Sequence, residues 1–167
     1  MTATETLVAW GLGLRLNDVP DEARAAALRH LLDGLGCAAA VTGQGATAAA
    51  GQGAATAAGQ GERPEEGAWA AVRVAGEMGG PPEATVFGTG RRVGAVAAAL
   101  ANGALVHALD FDDTHARGLV HATAPVLPVA FAVGEETGAS GAEVLTAALA
   151  GYEAICRLGG AVPHGFH

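Results

Sequence analysis

A short polar segment collects most of the side chains that could do chemistry. Within 12 residues it holds three carboxylates, two imidazoles and one guanidinium: Asp110, Asp112, Asp113, His115, Arg117 and His121. A carboxylate that hydrogen-bonds an imidazole fixes its tautomer and favours its protonated form, which provides a general acid near neutral pH. The segment therefore predicts an acid/base site for a small anionic substrate, whose carboxylates Arg117 would attract. The alternative is a solvated turn in which Asp113 or Thr114 caps the next element.

Two other kinds of site use the same residue types. The pattern Asp-x-Asp-x-Thr at 110–114 opens phosphatases of the haloacid dehalogenase type, in which a carboxylate attacks phosphorus. Those enzymes also need a downstream lysine or arginine and further acidic residues for magnesium, whereas this chain has no lysine and no aspartate after Asp113. A metal-binding protein could use Asp110, Asp113, His115 and His121, but a closely spaced metal signature is missing, so we predict no metal ligands.

The composition narrows the class of protein. The 167 residues carry 9 Lys+Arg and 17 Asp+Glu, a net charge of −8, and 50% hydrophobic residues. This disfavours both a disordered chain and a nucleic-acid-binding protein. The sequence has no apolar run of roughly 18 residues and no secretory-signal layout, so we expect a cytoplasmic protein that does not bind membranes. Cys37 and Cys156 lack a CxxC spacing, which predicts reduced, buried thiols.

Helical periodicity dominates the first half of the chain. Asp18 is a candidate N-cap for a helix over 19–40, whose core face would be Leu28, Leu31, Leu32 and Leu35. Residues 42–61 repeat Gly-Gln-Gly three times and predict a flexible low-complexity loop. A short helix is expected over 67–78, with Trp69 and Val72 facing inward, and a short strand over 84–87.

The second half predicts three more helices. One covers 92–109, and its inner side would be Val93, Val96, Ala97, Leu100 and Ala104. The next covers 125–138, and Ser140 and Glu143 form the capping-box signature that opens the last. The glycine pattern at 88–94 resembles a dinucleotide-binding loop but lacks a βαβ unit, so it predicts a structural turn. The fold class is all-α, a helical bundle with at most one minor strand and a core formed by close packing of alanine-rich helices.

Several blocks, in order, resemble the MmgE/PrpD family, which contains 2-methylcitrate dehydratase and cis-aconitate decarboxylase. Residues 14–20 and 31–37 are similar to the family's opening helix, and 86–90, 101–104 and 107–115 to its most recognisable block. The likeness continues through 121–128, 138–141 and 151–153, and residues 165–167 resemble the start of a further active-site block. It covers nearly the whole chain apart from the Gly-Gln-Gly loop.

The resemblance implies a cofactor-independent lyase for a small di- or tricarboxylate, which dehydrates a 2-methylcitrate-like acid or decarboxylates a cis-aconitate-like acid. It implies a large helical domain, a smaller α/β lid domain and a homodimer. Residues 1–167 would correspond to the N-terminal part of the helical domain, without the lid and without the lysines that belong to the family's pocket. The expected partners are the carboxylate substrate and either a second copy or a complementing chain.

The resemblance also assigns residues to the pocket, and their chemistry suggests roles. His121 is expected to be the general acid or base, with Asp110 as its orienting partner and His167 as a second catalytic group. The resemblance also places Thr114 in the pocket, where it is expected to bind substrate. His115 and Arg117, which the resemblance does not assign, are expected to bind substrate from the chemistry of the polar segment. His107 is interpreted as a packed or hydrogen-bonded core residue, and His30 as a surface position.

The chain is much shorter than members of that family. We therefore expect a truncated or split chain that has no meaningful turnover when isolated. The alternative is a non-catalytic helical subunit or remnant that pairs with a second polypeptide.

Overall fold

Helices α1 to α6 and one β-hairpin form the part of the chain that the structure describes. This computed structural model describes the backbone of residues 1–50 and 64–162 and the side chains of 1–43 and 66–162. The helices are α1 (Ala3–Gly13), α2 (Asp21–Ala50), α3 (Pro64–Met78), α4 (Ala95–His107), α5 (Thr123–Thr137) and α6 (Gly141–Ala161). Strands β1 (Ala84–Val86) and β2 (Arg91–Val93) pair antiparallel. The predicted all-α class is confirmed.

Helix α4 lies at the centre, packed against α2, α3 and α5. Its buried face consists mostly of small residues, which allow the neighbouring helices to approach closely. This is why the predicted inner face is only partly right: Ala97 is buried as expected, whereas Val96 and Leu100 are exposed. Leu105 and Val106 are fully buried at the end of the helix, so its last residue, His107, is held in place.

Helix α2 buries only part of the face predicted for it. Leu31 is buried and Leu35 packs partly buried against the core, as expected, but Leu28 and Leu32 are exposed, 71% in the case of Leu32. Besides Leu31, the buried stripe contains small residues and one valine at helical spacing: Ala27, Gly34, Ala38 and Val41. The bundle selects this stripe because it lets α2 lie against α4 and α5.

The first two helices also differ from the prediction, one in its length and the other because it was not expected. Helix α2 continues to Ala50, so the first part of the predicted loop, 42–50, is helical; the remainder, 51–61, lies outside the described residues. Helix α1 was not predicted, because it buries none of its residues and so has no apolar face to recognise. It begins with a capping box between Thr2 and Glu5 and contacts α6.

The β-hairpin ties α4 to α5. The side chain of Asn102 accepts a hydrogen bond from Phe87 N and donates one to Thr85 O, both at 2.8 Å. Glu135 of α5 accepts from the Thr85 hydroxyl and from Arg92, both at 2.7 Å. The predicted helix over 92–109 therefore begins only at Ala95, because the preceding residues pair with β1.

The glycine pattern at 88–94 is the hairpin turn, as predicted. Gly88 and Gly90 both have φ of 68°, a left-handed conformation that glycine adopts without strain. A Cβ at position 88 would also collide with the side chain of Thr42.

The last two helices confirm their predicted positions. Ser140 and Glu143 form the capping box, in which the backbone N–H of Ser140, and then its hydroxyl, lower the pKa of the Glu143 carboxyl. Neither Cys37 nor Cys156 is in a disulfide; Cys37 is buried and Cys156 half-buried, and burial raises the pKa of both thiols. In the described ranges no helix combines the length and apolar character needed to cross a membrane.

Candidate active site

The polar segment leaves α4 through a sharp turn that buries one carboxyl group. Asp110 has φ of 50°, the left-handed region that aspartate tolerates better than most residues. After it, the Phe111 side chain is 80% exposed, whereas the side chain of Asp112 is completely buried. The turn therefore places a carboxyl group inside the protein and an aromatic ring outside.

Asp112 faces two imidazoles. Its Oδ1 accepts a hydrogen bond of 2.9 Å from His107 Nδ1 and lies 3.5 Å from His121 Nδ1. The two rings meet edge to face, with centroids 4.8 Å apart. Asp112 Oδ2 and His121 Nδ1 are both buried and have no hydrogen-bond partner among the described residues. The cluster therefore brings the ends of α4 and of the polar segment together.

His121 also faces the predicted partner Asp110. Its Nε2 lies 3.6 Å from Asp110 Oδ1, so the structure brings the two residues together. The side chain of Asp110 is 80% exposed and that of His121 is 31% exposed. Solvent and salt screen the charge of an exposed carboxylate, so the buried Asp112 interacts more strongly with the imidazole than Asp110 does.

Asp113 has the capping role that the sequence analysis left open for it. Its Oδ1 accepts a hydrogen bond of 2.9 Å from Thr123 N at the start of α5. The Thr123 hydroxyl in turn bonds the Tyr152 hydroxyl at 2.7 Å. Burial raises the pKa of Tyr152 to about 12, against the opposing effect of the Thr123 hydrogen bond. Asp113 thus fixes the beginning of α5 close to His121.

The three predicted substrate-binding residues line two cavities. Thr114 and His115 border one of about 290 Å³, together with His30 and Tyr152. His115 and Arg117 border another of about 420 Å³, which also contains Arg157 and Glu153. Neither lining includes His121 or Asp110. The structure therefore groups Thr114, His115 and Arg117 with one another rather than with the proton-transfer candidates.

His115 is oriented by the backbone around it. Its Nδ1 accepts a hydrogen bond of 3.0 Å from Gly118 N, so that nitrogen carries no proton and Nε2 carries the N–H. A β-bridge between His115 and Val120 closes the same turn. The Nε2–H group is therefore the donor that this imidazole can offer to an anion.

Three other histidines differ in how far their positions match the expectations from sequence. His107 is hydrogen-bonded as expected, but its side chain is half-exposed at the cluster rather than packed in the core. His30 is on the surface, with its Nδ1 3.8 Å from Asp113 Oδ2. The predicted catalytic residue His167 lies outside the described residues.

Donor atoms of the kinds that bind divalent metals also meet here. His107, Asp112 and His121 each offer one such atom, all within 4.8 Å of one another. This set shares only His121 with the one weighed from sequence. Asp113 and His115, from that set, instead accept hydrogen bonds from backbone amides.

From sequence, Asp112 belongs to the polar segment without a role, and His107 is interpreted as a core residue. Polarity alone gave no signal that Asp112, among three nearby aspartates, would be the buried one. The sequence provided a partial signal for His107, because this residue ends a helix directly after two apolar residues, Leu105 and Val106, which are both buried.

Comparison with known proteins adds independent information. The family model described as MmgE/PrpD N-terminal domain matches residues 53–166. Cis-aconitate decarboxylases from Aspergillus terreus and from its strain NIH 2624 / FGSC A1156 are each 31% identical over 166 residues, 95% of this chain and 29% of the relative. The cis-aconitate decarboxylase-like protein oryM of Aspergillus oryzae is 34% identical over 85 residues, 47% of this chain and 18% of its own length.

The chain thus spans under a third of the length of these curated relatives. The comparison with solved structures gave no significant match.

Proposed function

The chain belongs to the MmgE/PrpD family, and on this basis we propose that it provides the proton-transfer part of a cofactor-independent lyase site. The substrate class is a small di- or tricarboxylate. Cis-aconitate is the first candidate, because the names of the two relatives that match 95% of this chain give it as their substrate. A 2-methylcitrate-like acid is the second, from the family resemblance.

One observation supports this proposal above the others: the His121 imidazole lies between a buried and an exposed carboxyl group. Asp112 is on its Nδ1 side at 3.5 Å, and Asp110 is on its Nε2 side at 3.6 Å. An imidazole in this environment can both accept and donate a proton, a contribution of about 10²–10⁴-fold to the rate. We assign proton transfer to His121, with Asp110 beside it at the solvent-exposed side.

Both candidate reactions need this group. In decarboxylation the bond to the departing carboxylate breaks, carbon dioxide leaves, and the electron pair on carbon takes a proton from the imidazolium. In dehydration a base removes the C–H proton and an acid protonates the hydroxyl group, which leaves as water. The imidazole of His121 can serve as the acid of the first reaction or as either group of the second.

Binding of the substrate carboxylates needs cations or N–H donors. Arg117 has no hydrogen bond or ion pair with the rest of the described chain, and the Nε2–H of His115 is free to donate. We propose that these two residues and Thr114 bind substrate carboxylates, and that His167 is a second catalytic group. Within the described ranges no arginine pairs with Asp110, Asp112 or His121, so we expect the isolated 167-residue chain to lack meaningful turnover.

The test follows cis-aconitate and 2-methylcitrate by proton NMR in deuterated water, with the longest polypeptide in which this chain is encoded. Decarboxylation of cis-aconitate should place one solvent deuterium on a carbon of the decarboxylated acid, whereas dehydration of 2-methylcitrate should give an unsaturated acid. Consumption of neither acid by a folded protein would overturn the proposal. The 167-residue chain alone serves as the comparison and should consume neither.

A second copy or a complementing chain remains the proposed partner, and light scattering after size exclusion tests it. A chain that melts cooperatively and stays monomeric at all concentrations, both with and without co-expression of the adjacent reading frame, would contradict this part of the proposal. A folded complex that consumes neither acid would instead favour the non-catalytic helical subunit.

A further inference from the structure

The cluster contains two buried polar atoms that lack partners. They are Asp112 Oδ2 and His121 Nδ1, and the latter lies 3.5 Å from the other oxygen of the same carboxyl group. A buried polar atom without a hydrogen bond costs about 1–3 kcal/mol, and more when it is charged. A slight movement of the imidazole would let His121 donate its Nδ1–H to Asp112 Oδ1, which would satisfy the nitrogen.

His107 holds the carboxyl group in the position that this contact needs. It donates Nδ1–H to Asp112 Oδ1 at 2.9 Å, and it sits at the end of α4 beside two fully buried residues. Because the side chain of Asp112 is completely buried, water does not compete for its oxygens. The two imidazoles are therefore its available donors among the described side chains.

We infer that Asp112, and not Asp110, is the residue that positions His121, by holding its imidazole in the Nδ1–H tautomer. Nε2 then carries the lone pair that exchanges a proton with the substrate, on the side where Asp110 is exposed. This inference rests on the proposed function for its catalytic meaning. It assigns to Asp112 the orienting role that the sequence analysis expected for Asp110.

The unusual tautomer makes the inference measurable. A neutral imidazole in water prefers the Nε2–H tautomer, so an Nδ1–H tautomer indicates that a neighbour holds it. The chain has six histidines and includes an internal control: the Nδ1 of His115 accepts a hydrogen bond, which fixes its Nε2–H tautomer. The two histidines should therefore give opposite patterns in one spectrum.

The experiment records nitrogen NMR of the imidazoles in the 15N-labelled 167-residue chain, at alkaline pH where the rings are neutral. Signals are assigned with single His→Gln variants. We expect the Nδ1–H pattern for His121 and the Nε2–H pattern for His115. In Asp112→Asn, His121 should revert to Nε2–H while His115 stays unchanged, and Asp110→Asn should leave both unchanged.

An Nε2–H pattern for His121 in the wild-type chain would overturn the inference, and this result needs no variant to fold. So would an Nδ1–H pattern that persists in a folded Asp112→Asn protein or disappears in Asp110→Asn. The outcome is separable from that of the proposed function. If His121 is Nδ1–H but its replacement leaves substrate consumption unchanged, the lyase role fails while the positioning by Asp112 stands.

Discussion

Gly34 of α2 lies directly against Thr123 at the start of α5. A Cβ atom at position 34 would be 2.5 Å from Thr123 Cγ2 and 2.9 Å from a methyl group of Leu127. Thr123 also donates its backbone N–H to the capping carboxylate of Asp113, and its hydroxyl bonds that of Tyr152, so this contact connects the core of the bundle with the polar segment. Close packing at a glycine is thus part of what positions the candidate site.

Gly34→Ala should destabilise the protein. Overpacking of a filled site costs typically about 1–3 kcal/mol, which outweighs the gain of about 0.5–1 kcal/mol from replacing a glycine inside a helix. Gly36→Ala is the matched control, because it lies in the same helix with nothing within 4 Å of a Cβ, and it should be neutral or stabilising. Urea unfolding of both variants measures the difference. Equal stability of the two variants would show that α2 and α5 do not pack as described.

Tyr152 should ionise only in strongly alkaline solution. Burial raises its pKa to about 12, and it is the only tyrosine in the chain, so the ultraviolet absorbance of phenolate reports it alone. A raised pKa in the folded state stabilises the fold below the unfolded value of about 10, and this contribution is lost as the pH rises through 10 towards 12. A midpoint near 10 in a protein that keeps its helical circular dichroism would contradict the buried position of Tyr152.

The capping box of α6 should make stability depend on acidic pH. The pKa of Glu143 is lowered by its hydrogen bonds to Ser140, so its contribution is present above its ordinary pKa and is lost as the pH falls through the lowered value. Ser140→Ala should reduce stability at neutral pH by about 1 kcal/mol and weaken this acidic dependence. Ser140→Thr keeps the hydroxyl and should retain most of both. Melting temperatures across the acidic range check the prediction, and identical profiles for all three proteins would refute it.

Substrate consumption should not depend on a metal. The proposed proton transfer uses side chains alone, so extended treatment with a chelator should leave the rate of the encoded polypeptide unchanged. Loss of activity that returns with one added divalent ion would instead favour metal binding by His107, Asp112 and His121.

Sequence patterns predicted those elements whose signal is local. The capping box at Ser140, the inward residues of α3 and the glycine turn depend on neighbouring residues, and all are present. The buried faces of α2 and α4 were predicted less well, because hydrophobic periodicity gives most weight to leucine and valine. In this bundle close packing depends on alanine and glycine, so Leu32 and Val96 are left outside.

The sequence predicted which segment forms the candidate site, but it did not predict how the side chains of that segment are arranged in space. The proximity of Asp110 and His121 was expected from the resemblance, and the two lie 3.6 Å apart. The burial of Asp112 next to an exposed Phe111 reverses the usual preference of both residue types. It follows from the left-handed turn at Asp110 and from the partner His107 on α4, neither of which a local pattern encodes.

The rate of cis-aconitate consumption by the encoded polypeptide and its His121→Asn variant tests the central claim most directly. Loss of the proton-transfer group should lower kcat by about 10²–10⁴-fold. The matched control, His30→Gln, removes another histidine near a carboxyl group and should lower kcat far less than His121→Asn does. A His121→Asn protein that is folded and as active as wild type would contradict the account.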